Sequence, residues 1–348
     1  MKDWLRDCLV DPVERQPLSF AGDRLVARDG ANYPIVEGIP VLLRADLPPT
    51  HRGAARTVKL ADMARQGLPV DLVAAVNLRE ELKEQIRREI AAGSDAAEAV
   101  IRRLLPLSNG FGYRDLAPGD AIPIPQFDAR GGGESLLDIG SSWGRWTIAA
   151  ARAGFRAVGL DPMLGPLMAA KRFAAKQGVD VDYICGDARC LPFADGAFDR
   201  AFSYSTLQHF SDQDCALTLG EIARVLGPEG SSTVQMAHWA GVRSLWHQAR
   251  RGFREPARFE VRYRSLPRML AMFAGAIGPT TVSIDCFFGL GLQASDTRHM
   301  RPLARFATAA SEHLKHMAKT VPALRSGADS VFLHSAKESA KDSAKQPH

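Results

Sequence analysis

Hydrophobic and polar positions change rhythm several times along the chain. Between Arg24 and Leu43 short apolar runs (Arg24-Leu-Val-Ala, Tyr33-Pro-Ile-Val, Ile39-Pro-Val-Leu-Leu) are separated by turn residues such as Asp29-Gly30, the pattern of short strands. From 55 to 105 the period lengthens. Leu78, Leu82, Ile86 and Ile90 recur every four residues, Glu84 precedes Arg88 by four, and Gly93 ends the run, which predicts an amphipathic helix. A second helix is expected behind the capping box Asp95-Ala-Ala-Glu98, stopping at Pro106. Residues 107–133, with Asn109-Gly110 and Gly131-Gly-Gly133, read as a long connection of the kind that often carries function.

From Ser135 strand and helix patterns alternate. Strands are predicted at Ser135–Gly140, Ala157–Asp161, Val181–Cys185, Arg200–Ser205 and Ser232–Ala237. Helices are predicted at Gly144–Ala153, Leu164–Gln177 and Gln213–Leu226. Such alternation specifies an α/β fold, a parallel sheet with helices on both faces. Two further strands, Thr281–Phe288 and Ser330–His334, enclose a helical stretch from Arg301 to Lys319. The repeats Ser335-Ala-Lys, Ser339-Ala-Lys and Ser343-Ala-Lys carry no apolar side chains and predict a disordered tail over 335–348. The expected organisation is a small β-rich unit over 1–46, a helical segment over 55–105, an α/β domain over 106–334 and that tail.

Composition changes this picture little. A hydrophobic content of 46%, a charged content of 24% and a net charge of +5 over 348 residues are globular values. Cys8, Cys185, Cys190, Cys215 and Cys286 form no C-x-x-C pair, the usage of reduced thiols. The first residues hold no apolar signal core and no run of 18 apolar residues occurs, so neither secretion nor membrane insertion is expected, and a cytoplasmic location is.

The candidate chemistry lies in Leu136-Leu-Asp-Ile-Gly-Ser-Ser-Trp-Gly-Arg-Trp. A strand enters a tight Gly turn and a helix starts at once; Gly140 leaves room for a ligand at the backbone and Gly144 for close helix–strand packing. Asp161, 21 residues after Gly140, ends the second strand, where its two oxygens can accept both ribose hydroxyls of an adenosine. NAD would be served by the same acid, but its fingerprint needs glycines where this chain has Ser142 and Arg145. Asp187 follows the third strand, able to accept from an adenine amino group. Plainer readings make Asp138 a partner of backbone donors, Asp161 a helix cap and Asp187 a turn residue.

Together with Leu191-Pro-Phe-Ala-Asp-Gly-Ala-Phe-Asp199 and Glu221-Ile-Ala-Arg-Val-Leu-Gly-Pro-Glu-Gly, this ordered series resembles class I S-adenosylmethionine-dependent methyltransferases from Ser135 to Ala237. The resemblance implies a Rossmann-like, mostly parallel seven-stranded sheet with S-adenosyl-L-methionine as cofactor. It also implies that Asp138, Gly140, Ser142 and Gly144 line the methionine end, that Asp161 holds the ribose, and that Asp187 and Ala188 face the adenine. Ser141, Pro162 and Ser203 complete the candidate contacts. Ser142 stands where the family commonly has Gly. Separately, Leu9-Val-Asp-Pro-Val-Glu-Arg-Gln-Pro-Leu and Tyr33-Pro-Ile-Val-Glu-Gly-Ile-Pro-Val-Leu-Leu resemble the zinc-ribbon-derived domain of tRNA-methyltransferase activator proteins. That family's C-P-x-C is here Asp11-Pro-Val-Glu14, so no metal is expected.

His209 and His238, after the fourth and fifth strands, are candidate bases for a hydroxyl acceptor; the simpler reading packs one beside the cofactor and makes the other a strand cap. Arg243, Arg250, Arg251, Arg254, Arg258, Arg262, Arg264 and Arg268 are opposed only by Glu255 and Glu260. Arg250, Arg251 and Arg254 are expected to bind an anionic, small or carrier-linked acceptor, against the alternative of a solvated charged face. RNA is the rival substrate, though no RNA-binding module accompanies the core. A non-catalytic regulator and an interaction scaffold are the non-enzymatic readings. Self-association, if any, is expected through the 55–105 helices.

Overall fold

The computed structural model describes residues 1–108, 113, 116–117, 119–257, 259–289, 291 and 293–337. Four short strands open the chain: β1 (Ser19–Ala21), β2 (Arg24–Val26), β3 (Asn32–Val36) and β4 (Ile39–Leu42), preceded by α1 (Asp3–Cys8). Four helices follow: α2 (Arg52–Arg65), α3 (Leu72–Ala75), α4 (Glu80–Ala91) and α5 (Ala96–Ser108). The alternating part runs β5 (Ser135–Ile139), α6 (Arg145–Arg152), β6 (Arg156–Asp161), α7 (Leu164–Lys176), β7 (Asp182–Gly186), β8 (Phe198–Ser203), α8 (Asp212–Val225) and β9 (Leu226–Ala237). The chain closes with α9 (Val242–Arg250), α10 (Leu266–Ala276), β10 (Thr280–Cys286), α11 (Pro302–Met317) and β11 (Ser330–Ala336).

All these strands join one sheet in the order β1-β2-β3-β4-β7-β6-β5-β8-β9-β11-β10. Its middle, from β4 to β9, is parallel, and both flanks are antiparallel. The central strands lie inside because helices cover both faces: every residue of β5 and β7 is buried, Ser135, Asp138 and Asp182 included. The expected seven strands are present as β7-β6-β5-β8-β9-β11-β10, but the sheet is mixed and longer than seven. The reason is β4, whose Val41 and Leu42 pair in parallel with Cys185 and Gly186 of β7.

That pairing ties the N-terminal strands to the large sheet. Leu5, Leu9, Leu25 and Leu42 share one core with Leu137, Ile139 and Ile184. Asp11 is buried and held within the fold. It accepts the amides of Val13 (2.6 Å) and Glu14 (3.1 Å) and the Tyr33 hydroxyl (3.2 Å). Among the described residues no cluster of His, Cys, Asp and Glu could hold a metal ion.

The helical segment is likewise part of the body. Leu60, Ile86, Val100 and Ile101 bury their apolar stripes in the core that holds Leu164 and Leu167 of α7, so those stripes are spent inside the chain. Asp95 caps α5 by accepting the Glu98 amide (2.9 Å). That helix runs past Pro106 to Ser108, since a proline in the last turn removes little of the hydrogen-bond ladder. Asn109, Gly110 and Arg258 lie outside the described residues, as do residues 338–348; Ser335 and Ala336, expected in the tail, belong to β11. No helix among the described residues is long and apolar enough to cross a membrane.

Deleting residues 1–46 should therefore expose β7 as a sheet edge and uncover side chains worth about 1.5–3 kcal/mol each. The shortened chain is expected to aggregate or to melt on the order of 10 °C lower in a thermal denaturation scan. An unchanged melt would mark the N-terminal strands as an independent unit.

Candidate active site

The loop from β5 to α6 is built on positive backbone torsions. Gly140 (φ 79°) and Gly144 (φ 78°) take the left-handed region, and a Cβ on either would collide, with Thr206 and with Tyr183 respectively. Ser142 also lies there at φ 50°, which accounts for glycine being the easier residue at this position. The loop is held by Asp161 at the end of β6: Oδ2 accepts the Ser142 amide (2.9 Å) and Oδ1 the Met163 amide (2.9 Å). Each oxygen keeps a further lone pair.

A cavity of about 440 Å³ opens at these strand ends, within the range of small-molecule sites. Gly140, Ser142, Asp161, Pro162, Asp187 and Ala188 line it. The other expected cofactor residues stand behind it. Asp138 is buried and accepts the Thr147 hydroxyl (2.7 Å). Ser203 donates to the Ile139 carbonyl (2.8 Å), bracing β8 against β5. Gly144 serves packing, and Ser141 keeps its buried Oγ without a partner among the described residues. Asp187 is already engaged, by the Arg189 guanidinium through Nε (3.0 Å) and Nη2 (2.8 Å).

Burial pushes the Asp161 carboxyl up to about 6 despite its two amide bonds. Burial likewise raises Asp138 to about 7, with the charge of Asp161 adding to the rise.

The sequence did not disclose the opposite wall. Thr50, His51, Asn77, Leu104 and Leu107 come from the N-terminal helical segment, and Tyr204, Ser205, Thr206, Gln208, His209, Phe210 and Phe259 from beyond β8. His209 is on that wall. Its ring stacks on Phe259 (4.4 Å, 9°), whose other neighbour is His51 (4.6 Å), and its Nδ1 lies 3.1 Å from the Phe259 carbonyl. Burial lowers its pKa to about 4, which leaves a neutral and weakly basic ring. His238 lines neither cavity; it is buried, with Nδ1 3.0 Å from the Ala328 carbonyl.

A second cavity of about 240 Å³ shares Tyr204, Ser205 and Gln208 with the first. Arg145, Gln235, Arg243, His247, Asp285 and Asp329 give it polar walls. Asp285 Oδ2 accepts from Tyr204 (3.0 Å), Gln235 Nε2 (3.1 Å) and Ser330 (2.7 Å). Arg250, Arg251 and Arg254 line neither cavity. Arg250 lies over the Trp246 ring, Arg251 donates to the Val261 carbonyl (2.9 Å), and Arg254 pairs with Glu260 (2.7 Å). Their spacing gave no sign of which face of the segment would turn inward.

Residues 136–230 match the family described as methyltransferase domain. Over 102 residues the chain is 36% identical to a demethylmenaquinone methyltransferase of Renibacterium salmoninarum, covering 29% of this chain and 40% of that one. It is 34% identical over 98 residues to a ubiquinone biosynthesis O-methyltransferase of Azorhizobium caulinodans, covering 28% and 38%. A solved methyltransferase of Thermotoga maritima, titled a possible histamine N-methyltransferase, covers 75% of this chain and 100% of its own at 15% identity and TM-score 0.39. The chain thus spans about two fifths of the demethylmenaquinone methyltransferases it matches.

The cavity suits the cofactor of such a domain. An acceptor carboxylate stands at the end of β6, the Gly loop runs alongside it, and the Ser141 hydroxyl has a bond to spare. Asp161→Ala should weaken S-adenosylhomocysteine by on the order of 1.5–3 kcal/mol in calorimetry. Because ribose hydroxyls donate to the ionised form, wild-type affinity should fall as pH drops through about 6 and stay level above it. A pH-independent wild-type affinity, or an unaffected Asp161→Ala, would contradict the ribose assignment.

Proposed function

We propose that the protein transfers a methyl group from S-adenosylmethionine to a small-molecule acceptor seated in the second cavity. The observation that carries this reading is the wall of Tyr204, Ser205 and Gln208 common to both cavities, because methyl transfer requires donor and acceptor to meet across one boundary. When bound, the cofactor would supply an electrophilic methyl on a sulfonium. The remaining work is positioning and the exclusion of water, worth roughly 7–11 kcal/mol when reactants are well aligned.

The chain's own residues divide that work. Gly140, Ser142 and Asp161 hold the cofactor on one side of the shared wall. On the other, Arg145 lies near the rings of Trp146 (5.0 Å) and Tyr204 (5.3 Å), and with Arg243 it offers the acceptor two guanidinium groups. An anionic or carbonyl-bearing acceptor suits them. Arg243 Nε donates to His247 Nε2 (3.3 Å), and burial followed by the charges of Arg243 and Arg250 lowers the His247 pKa. Its lone pair is thus occupied.

The proton acceptor this cavity favours is Asp285, whose Oδ2 carries three donors and whose Oδ1 is left for the acceptor. It takes the place of His209 and His238 in the proposal, since His209 is weakly basic and His238 lies elsewhere. The curated relatives named for menaquinone and ubiquinone biosynthesis agree with a small-molecule acceptor.

Calorimetry with S-adenosylhomocysteine, followed by transfer of labelled methyl into the small-molecule fraction of a cell extract, tests the reading. Binding and labelling are expected, and the absence of binding would overturn it. Once an acceptor is in hand, Asp285→Asn should lower kcat on the order of 10²-fold with cofactor affinity intact. A change confined to KM would make Asp285 a positioning residue only.

A further inference from the structure

We propose that the outward face of α9, with the residues flanking it, docks on an anionic lipid bilayer. The face is apolar and aromatic: Trp239 is 47% exposed, Val242 64%, Trp246 52% and Phe253 67%, with Leu245 beside them. Val242, Leu245 and Trp246 share one side of α9 at helical spacing, while Trp239 precedes the helix and Phe253 follows it. Scattered exposed apolar side chains need no explanation, but this many on one short segment mark an interaction site.

The opposite side of α9 is fixed to the body, so the apolar face cannot turn inward. Ser244 is buried and its amide donates to Asp329 (2.8 Å), while Arg243, Ser244 and His247 line the second cavity. The docking face and the proposed acceptor cavity are therefore two sides of one nine-residue helix.

Charge selects the partner. Arg250 flanks the aromatic face, 4.7 Å from the centre of the Trp246 ring, and the exposed Arg254 lies beyond it. Glu255 and Glu260 are the acids of this segment, and Glu260 is held by Arg254. Tryptophans that seat their rings at headgroup level, rimmed by arginines, match an anionic membrane surface. A protein partner would need a complementary acidic and apolar patch, whereas the bilayer presents both layers everywhere. That the bilayer is where the acceptor is met rests on the methyl-transfer reading; docking itself does not.

Vesicle co-sedimentation of the full chain, with no cofactor or acceptor present, tests docking apart from that reading. Vesicles of phosphatidylcholine alone are compared with vesicles containing phosphatidylglycerol. The protein should sediment with the anionic vesicles and not with the neutral ones, less so as salt is raised, and its tryptophan emission should shift to the blue. Trp239→Ser with Trp246→Ser should lose on the order of tenfold in binding, and Arg250→Gln with Arg254→Gln about as much. Both variants should keep the wild-type circular dichroism, since the changed side chains are exposed. Failure to bind anionic vesicles would overturn the proposal, as would binding to any polyanion that ignores the tryptophan substitutions. A concentration-dependent dimer that the tryptophan substitutions abolish would overturn it too, assigning the face to a second copy of the chain.

Discussion

Asp161 is a carboxylate buried at the end of β6, and three separate pieces of chain meet on it. Its oxygens fix the Ser142 amide of the β5–α6 loop and the Met163 amide at the entry to α7, while the strand it terminates pairs with β5 and β7. Charge in such a place is costly, and its pKa rises to about 6 as a result. The amides offset part of that cost. The tension leaves a carboxylate that gains from further donors, such as the hydroxyls of the proposed ribose. The strained Ser142, the close approach of Gly140 to Thr206 and the cavity between them all follow from keeping the loop on that acid.

The N-terminal half belongs to the same construction. Thr57 of α2 accepts the Leu164 amide (3.0 Å) and so caps α7, the helix that follows Asp161. Arg189, which grips Asp187, also donates to the Pro48 carbonyl (2.8 Å). With β4 paired to β7 and with His51 stacked on Phe259, the first hundred residues supply one wall of the cavity and part of the framework under the other. The turn from Asp11 to Glu14 is also built on a carboxylate. A carboxylate that accepts two turn amides and a tyrosine hydroxyl holds that turn by hydrogen bonds alone.

What could be read in the sequence was whatever is encoded locally. Gly140, Asp161 and Asp187 announce themselves by their distance from strand ends, and the strands from β5 to β9 by their alternation with helical patterns. Features assembled from distant segments gave no such signal. Asp285 enters the second cavity through the antiparallel pairing of β10 with β11, and Asp329 through the turn before β11; neither sits in a motif. Arg145 was visible only as a residue that spoils a dinucleotide fingerprint. The arginines after β9 were conspicuous in number, yet sequence spacing could not say that Arg243 would turn inward and Arg250 outward. His238 illustrates the same limit: its place after β9 suggested catalysis, while its ring is used against the Ala328 carbonyl.

The account turns on the claim that the Asp161 cavity is an adenosine site and that its neighbour across Tyr204 and Gln208 is the acceptor site. A crystal structure of the complex with S-adenosylhomocysteine tests both parts at once. The ribose hydroxyls should lie on the Asp161 oxygens with the sulfur toward the Tyr204–Gln208 wall. A ligand bound elsewhere, or one whose sulfur faces away from the cavity lined by Asp285, would contradict the account.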